Sequence, residues 1–271
     1  MRLLIFGPGY TAARLIARLA GRADIATVTR DTFAGRKSDI ANATHILSTV
    51  PPGETGDPVL AAYAPELAAS GAWLGYLSST GVYGDTGGAW VDETAATGTG
   101  RRTARAQADA AWLALPSARV FRLPGIYGPG RSPLDRIRVG AATRIELPGQ
   151  VFSRVHVDDI VEGIVAGFDG PPGAYNLADD LPAAQRDVIA HGCALLGLPV
   201  PPLVALDQAD LSPQARAFYA ENRRVANGKA KRVLGWRPRY PDYRFGLRAL
   251  SATTSPATTS TAPAPASTDQ R

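Results

Sequence analysis

The chain begins with a short apolar run, Arg2-Leu3-Leu4-Ile5-Phe6, which stops at Gly7-Pro8-Gly9-Tyr10-Thr11-Ala12 and gives way to an Ala/Leu/Arg pattern of helical period. A strand short enough to be buried, a glycine turn and an immediate helix form the first half of a βαβ unit that binds a dinucleotide, here with Ala in the third small position. Gly7 permits the tight turn. Gly9 lets the backbone approach a pyrophosphate with no side chain in the way, and Ala12 keeps the helix close to the strand. The amides at the helix start, those of Tyr10 and Thr11 among them, then face the phosphates.

The segments that follow alternate in the same way. Ile25-Ala26-Thr27-Val28-Thr29 reads as a second strand ending at Arg30, and His45 to Val50 as a third, closed by Pro51-Pro52-Gly53. Leu60 to Ala69 looks helical, Trp73 to Ser78 returns as a strand, Arg101 to Leu115 is an Ala-rich helix, and Ala118 to Leu123 is again a strand. Nearly continuous apolar strands alternating with helices predict an α/β fold: a doubly wound parallel sheet of the Rossmann type with helices on both faces. Beyond residue 124 Gly and Pro become denser and strand signals intermittent, which predicts a small C-terminal lobe drawn mainly from 125–250. That lobe is interleaved with the sheet, since Arg154 to Asp159 and Gly173 to Leu177 still read as central strands or their ends. From Ser251 to Arg271 the chain is Ser, Thr, Ala and Pro with almost no large apolar residue, the composition of a disordered tail.

At 271 residues and 45% hydrophobic content the chain can bury one full core with an appended lobe. Its single cysteine, Cys193, excludes an internal disulfide, and no His/Cys cluster suggests a metal. The apolar start is broken after five residues, so it is neither a signal peptide nor a membrane span; a cytoplasmic protein is expected. The net charge of +5 comes from arginines scattered among acidic residues, with no basic stripe for nucleic acid.

In a unit that binds NAD, an acidic residue at the end of the second strand accepts hydrogen bonds from the adenosine ribose. Here Thr29-Arg30 stands there. A guanidinium suits the 2′-phosphate of NADP and offers a bare diol little, so NADP is favoured. Asp31 follows directly, and a strand end one residue later would favour NAD instead.

Further along come Leu77-Ser78-Ser79-Thr80-Gly81-Val82-Tyr83-Gly84, Arg122-Leu123-Pro124-Gly125-Ile126-Tyr127-Gly128, Val155-His156-Val157-Asp158-Asp159-Ile160 and Asn227 to Pro238. With these motifs in this order the chain resembles the extended short-chain dehydrogenase/reductases, the superfamily of NAD(P)-dependent epimerases and dehydratases. The resemblance implies a nicotinamide cofactor, a small and sometimes nucleotide-linked carbohydrate as substrate, and often a homodimer. It gives Ser79, with Thr80 beside it, the place of the hydroxyl that orients substrate, although three consecutive hydroxyl residues also simply end a strand. Thr49, Val50 and Pro51 at the end of the third strand, and Pro124, Gly125 and Ile126 after the strand Ala118 to Leu123, complete the expected cofactor site with Gly7, Gly9, Tyr10, Thr11, Ala12 and Arg30. His156 and Asp159 sit where the family ties its second lobe to the sheet, and Tyr83 and Tyr127 read as packing residues.

The chain departs from the family where redox members carry Tyr-x-x-x-Lys, two residues on one helical face whose ammonium lowers the phenol's pKa. If Asp109 takes the place of the acidic residue that follows, Arg101 stands at the tyrosine position and Arg105 at the lysine position. No tyrosine lies between Tyr83 and Tyr127. An arginine, with a pKa above about 12, cannot shuttle a proton, though it can hold negative charge. The turn Gly-x-Gly-x-x-Ala also differs from the Gly-x-x-Gly-x-x-Gly of extended members, and both departures resemble the superfamily's atypical branch. Two functions follow. One is an oxidoreductase or epimerase-like enzyme holding substrate through Ser79, with Arg131, Arg154 and Arg223 as candidates for substrate anions. The other is a non-catalytic protein that senses NADP(H) and signals to a partner.

Overall fold

The computed structural model describes residues 1–100 and 103–254. Arg101 and the part of the expected tail beyond Thr254 lie outside the described residues. Six parallel strands form the central sheet: β1 (Arg2–Phe6), β2 (Asp24–Val28), β3 (His45–Ser48), β4 (Trp73–Ser79), β6 (Ala118–Leu123) and β10 (Gly173–Asn176). They lie in the order β10-β6-β4-β3-β1-β2. The short strands pair outside this sheet: β5 (Trp90–Val91) with β12 (Arg224–Val225), β7 (Gly125–Tyr127) with β9 (Arg154–His156), and β8 (Arg144–Glu146) with β11 (Leu203–Ala205).

The helices that cover the sheet are α1 (Tyr10–Leu19), α2 (Lys37–Asn42), α3 (Pro58–Ala69), α4 (Thr103–Leu113) and α6 (Val157–Ala166). Alternation along each strand sends successive side chains to opposite faces and so builds two cores. Leu3, Ile5, Leu47, Trp73 and Phe121 pack with Leu15 and Leu19 of α1 and Ile160 and Ile164 of α6. Leu4, Phe6, Ile46, Leu74 and Tyr76 pack with Ile40 of α2, Val59, Tyr63 and Leu67 of α3 and Trp112 of α4. The sheet is therefore doubly wound, with helices on both faces.

The remaining helices, α5 (Pro133–Arg138), α7 (Gln185–Leu196), α8 (Pro213–Ala217), α9 (Gly228–Val233) and α10 (Tyr243–Thr254), belong to the second lobe or its edge. Leu134, Ile137, Val188, Ile189, Tyr243 and Leu247 form a third core there. Among the described residues no helix is long and apolar enough to cross a membrane.

Several boundaries differ from the sequence reading. The second strand runs from Asp24 to Val28, so Arg30 lies two residues past its end. Arg154 to Asp159 is no central strand: Arg154–His156 pairs only with β7, and Val157 already opens α6, where His156 caps the first turn by accepting from the Asp158 amide at 3.2 Å. Gly173–Asn176 is one of the two edge strands of the sheet, opposite β2. Helix α10 continues to Thr254, four residues into the segment expected to be tail. Asp159 ties the lobe to the sheet through its carboxylate, which accepts from the amides of Arg239 at 2.6 Å and Tyr240 at 3.1 Å.

Candidate functional site

The strand order reverses between β1 and β3, and in an open α/β sheet the crevice at that point, beyond the carboxyl ends of the strands, is where ligands bind. The turn after β1 is shaped for that crevice. Gly7 sits at φ +78°, a region costly for any residue with a Cβ. Its amide donates to the Val28 carbonyl at 2.9 Å, and its own carbonyl accepts from the Thr49 hydroxyl. That bond turns Thr49 toward β1 and ends β3 at Ser48, two residues before the apolar pattern runs out. Gly9 is the N-cap of α1 at φ −80°; no side chain caps the helix, and its first turn holds no acidic residue. The amides of Tyr10, Thr11 and Ala12 thus have no acceptor among the described residues at the positive end of the helix dipole, where an anion is favoured.

At the carboxyl end of β4 three hydroxyl residues take three roles. Ser78 is buried and donates to Asp109 Oδ2 at 2.6 Å. Ser79 is half-buried, and its Oγ accepts from the Gly81 amide at 3.1 Å, leaving the hydroxyl hydrogen free to donate. Thr80 opens the 3-10 turn Thr80–Tyr83 and is buried at the cleft wall.

Behind this turn Asp109 on α4 and Arg122 on β6 form a buried ion pair, with Arg122 Nη2 2.6 Å from Asp109 Oδ1. Arg122 also donates to the Tyr83 hydroxyl at 3.0 Å, and Tyr83 donates to Asn176 Oδ1 at 2.8 Å. Tyr83 is a structural link in this network. Tyr127 is likewise buried, packed edge-on against His156 with ring centroids 5.2 Å apart.

A cleft of about 980 Å³ joins the crevice to the second lobe, at the upper end of small-molecule sites. It brings together Ser79, Thr80 and Arg105 with Gly9, Tyr10, Thr11, Thr49, Pro51, Pro124, Gly125 and Ile126. Gly7, Ala12, Val50 and Arg30 do not line it. Gly7 and Val50 lie one layer beneath, where a Cβ on Gly7 would meet Val50 Cγ2 at 2.9 Å. Ala12 is buried in the α1 core, and Arg30 is exposed beyond β2 without an ion pair among the described residues. Arg105 is half-buried on α4 and forms no ion pair among the described residues; burial pushes the nearby Tyr76 phenol up, and Arg105 works against that rise.

All three arginines suggested for substrate anions reach the cleft. Arg131 lies over the Tyr10 ring, 5.8 Å from its centroid. Arg223 pairs with Glu221 at 2.8 Å and donates to the Gly84 carbonyl at 2.6 Å, bracketing the Ser79 turn. Arg154 donates from Nη1 to the carbonyls of Phe152 and Ala183, at 2.8 and 2.9 Å. Phe152, Gln185, Leu211 and Tyr219 complete the far wall and were missed in the sequence, because they come from separate loops and helix starts with no shared period. The one available signal was Arg154, two residues ahead of the His156 motif.

No family model matches the chain. A conserved protein of unknown function from Silicibacter pomeroyi is 44% identical, with a TM-score of 0.84 over 93% of this chain and 98% of that one. A human epimerase family protein solved with NADPH shares the fold at TM-score 0.73 and 16% identity, over 93% of this chain and 99% of its own. The 3-diazoavenalumate denitrifying reductase of a Streptomyces species is 33% identical over 141 residues. That match covers 47% of this chain, and the chain spans 45% of the length of this curated relative.

Proposed function

The chain belongs to one family with the Silicibacter protein and has the architecture of the extended short-chain dehydrogenase/reductases, and on that premise we propose that it is an NADP-dependent reductase or epimerase-like oxidoreductase of a small molecule. The observation that carries this is the crevice between β1 and β3: a glycine turn braced by Thr49, facing an uncapped helix start that carries no acid. The amides of Tyr10 to Ala12 would hold the diphosphate, with Thr49, Pro51 and Pro124 to Ile126 along the rest of the nucleotide. Arg30, exposed beyond β2 and without an ion pair among the described residues, would meet a 2′-phosphate. Bound there, the nicotinamide supplies or accepts hydride beside Ser79.

Ser79 then acts as a donor. One of its two acceptor lone pairs is taken by the Gly81 amide, and its hydrogen is left for a substrate oxygen. Arg105 and Arg223 stand at the same end of the cleft, where a guanidinium stabilises negative charge. A site without the Tyr-x-x-x-Lys pair suits a substrate that takes hydride with no accompanying proton. Exchange of a diazonium group for hydrogen with release of N2 is such a reaction, and the curated relative's name, a denitrifying reductase, favours that branch of the reading. The sensor alternative has no use for Ser79's uncommitted hydrogen or for a cleft that extends well past the nucleotide end.

The test is a titration of the purified chain with NADP, NADPH, NAD and NADH, followed by turnover across carbonyl, sugar-nucleotide and aryl diazonium substrates. We expect NADP(H) to bind more tightly, and Ser79→Ala to keep that binding while losing turnover. No association at millimolar nucleotide overturns the reading, and tight binding with no turnover across the panel turns it toward the sensor.

A further inference from the structure

The far end of the cleft is built from apolar walls. Ile145, Phe152, Val188, Ile189, Leu211 and Tyr219 line it. A sugar offers hydroxyl donors on every side and requires acceptors to replace water, since buried polar groups left unpaired are costly. The lobe's amide and carboxylate groups each already hold a protein partner. Gln185 Oε1 accepts from the Ile145 amide at 3.1 Å while its Nε2 donates to the Thr143 carbonyl at 2.6 Å. Glu221 is paired with Arg223, and Asp135 closes the capping box of α5 with Ser132. Ser153 Oγ accepts from the Val225 amide at 2.9 Å.

Arg131, Arg136, Arg154 and Arg223 all line the cleft, and Arg154 is the one set against the Phe152 ring of the apolar wall. Arg154 is anchored through Nη1 alone, so its Nε and Nη2 have no acceptor among the described residues, and it forms no ion pair among them. Its guanidinium lies 5.9 Å from the centroid of Phe152, whose ring meets Tyr219 edge-on at 5.3 Å. The carboxyl nearest in influence, Asp179, is buried with Oδ2 unpartnered, and burial pushes it up to about 8 against the opposing charge of Arg154. That rise disfavours its charged form, so burial weakens the carboxylate that could balance the arginine.

We infer that this end of the cleft takes a small aromatic monocarboxylate, its carboxylate on Arg154 Nε and Nη2 and its ring between Phe152, Tyr219 and the aliphatic wall, in place of the carbohydrate that the resemblance implies. A guanidinium fork matches a carboxylate with two parallel hydrogen bonds, and an apolar slot beside it selects the ring. This substrate class rests on the reading that a nicotinamide occupies the Ser79 end.

The full chain, with and without saturating NADPH, would be titrated calorimetrically with trans-cinnamate, its methyl ester and UDP-glucose. The acid should bind to the NADPH-loaded chain, the ester about tenfold or more weakly, and UDP-glucose should not displace the acid. Arg154→Gln should bring acid and ester to equal affinity with NADPH affinity unchanged, and Arg154→Lys should restore part of the preference. Equal binding of acid and ester by the unaltered chain, displacement by UDP-glucose, or no binding of the acid at millimolar concentration each overturns the inference. These comparisons need no variant. A chain that prefers acid over ester yet fails to bind NADPH would refute the cofactor reading and uphold the carboxylate site.

Discussion

Gly7 and Gly9 stand two residues apart in one turn, yet the structure separates what an added methyl group does at each. At Gly7 the backbone is at φ +78°, and a Cβ would lie 2.9 Å from Val50 Cγ2 and 3.3 Å from Thr49 Oγ1. Gly7→Ala therefore carries a left-handed penalty of about 1–2 kcal/mol and roughly 1 kcal/mol of crowding. For a domain of this size that lowers Tm by roughly 4–12 °C. At Gly9 the backbone, at φ −80°, suits any residue, and a Cβ would meet only the Gly7 carbonyl oxygen at 4.0 Å. Gly9→Ala loses only the modest advantage of Gly over Ala as an N-cap, about 0.5–1 kcal/mol, so Tm falls by roughly 1–4 °C. The new methyl group stands in the open crevice, where a diphosphate has to touch backbone, and NADPH affinity should drop about tenfold or more. Thermal unfolding without nucleotide and a fluorescence titration with NADPH read the two effects separately. Gly9→Ala binding NADPH as tightly as the unaltered chain, or losing as much Tm as Gly7→Ala, would refute the assignment of this turn to a diphosphate.

Arg30→Asp should reverse the order of NADP and NAD affinities with little change in Tm, since Arg30 is exposed and makes no ion pair among the described residues; an unchanged preference would show that the 2′-phosphate is read elsewhere. Asp109→Asn leaves the Arg122 charge buried without its carboxylate, at about 3–5 kcal/mol by urea unfolding, whereas replacing both residues with apolar ones of similar volume should recover most of that; a single-variant cost under about 1 kcal/mol would sink the claim that this pair matters to the fold. Burial, opposed by Asp158, lowers the His156 imidazole from 6.5 to about 4, so the folded chain favours the neutral ring. Its contribution is complete above pH 6.5 and is lost as pH falls toward 4. Unfolding free energy of His156→Asn should therefore vary less over that window, by up to about 3 kcal/mol, and parallel pH profiles for the two proteins would contradict it.

What could be read from the sequence was what is decided locally. Residues 2–12 hold a buried strand, a position that needs φ > 0 and a helix start within one continuous segment, so the motif and its geometry coincide. The alternation of Leu3 and Ile5 against Leu4 and Phe6 announces a sheet buried on both faces, and the two cores follow it. Arg154 to Asp159 misled because Val155 and Val157 alternate like strand residues, although His156 as a cap with Asp158 and Asp159 in the next turn is a helix-start signal lying across the same residues. The cap prevailed because α6 buries Ile160 and Ile164 against the sheet, a tertiary gain no window of six residues contains.

The site divides along the same line. Ser79, Thr49 and the Pro124 turn sit at strand ends, where the fold has to place them beside the crevice, so naming the strands was enough to find them. The far wall depends on loops whose meeting is set by the lobe's own core, and nothing within Phe152, Gln185 or Tyr219 foretells the others. Even for Ser79 the residue type stated only a capacity to donate and accept. The Gly81 amide takes one of its two acceptor lone pairs, and that bond orients the hydroxyl so that, in the proposed reading, its hydrogen is offered to a substrate oxygen. Losing the amide, as in Gly81→Pro, would release that orientation; because a Cβ at Gly81 already comes within 3.3 Å of Ser79 Oγ, the cleaner comparison is Ser79→Thr, which keeps the bond and should retain binding of NADPH with turnover reduced rather than abolished. Equal loss of turnover in Ser79→Thr and Ser79→Ala would mean that the hydroxyl serves the turn and not the substrate.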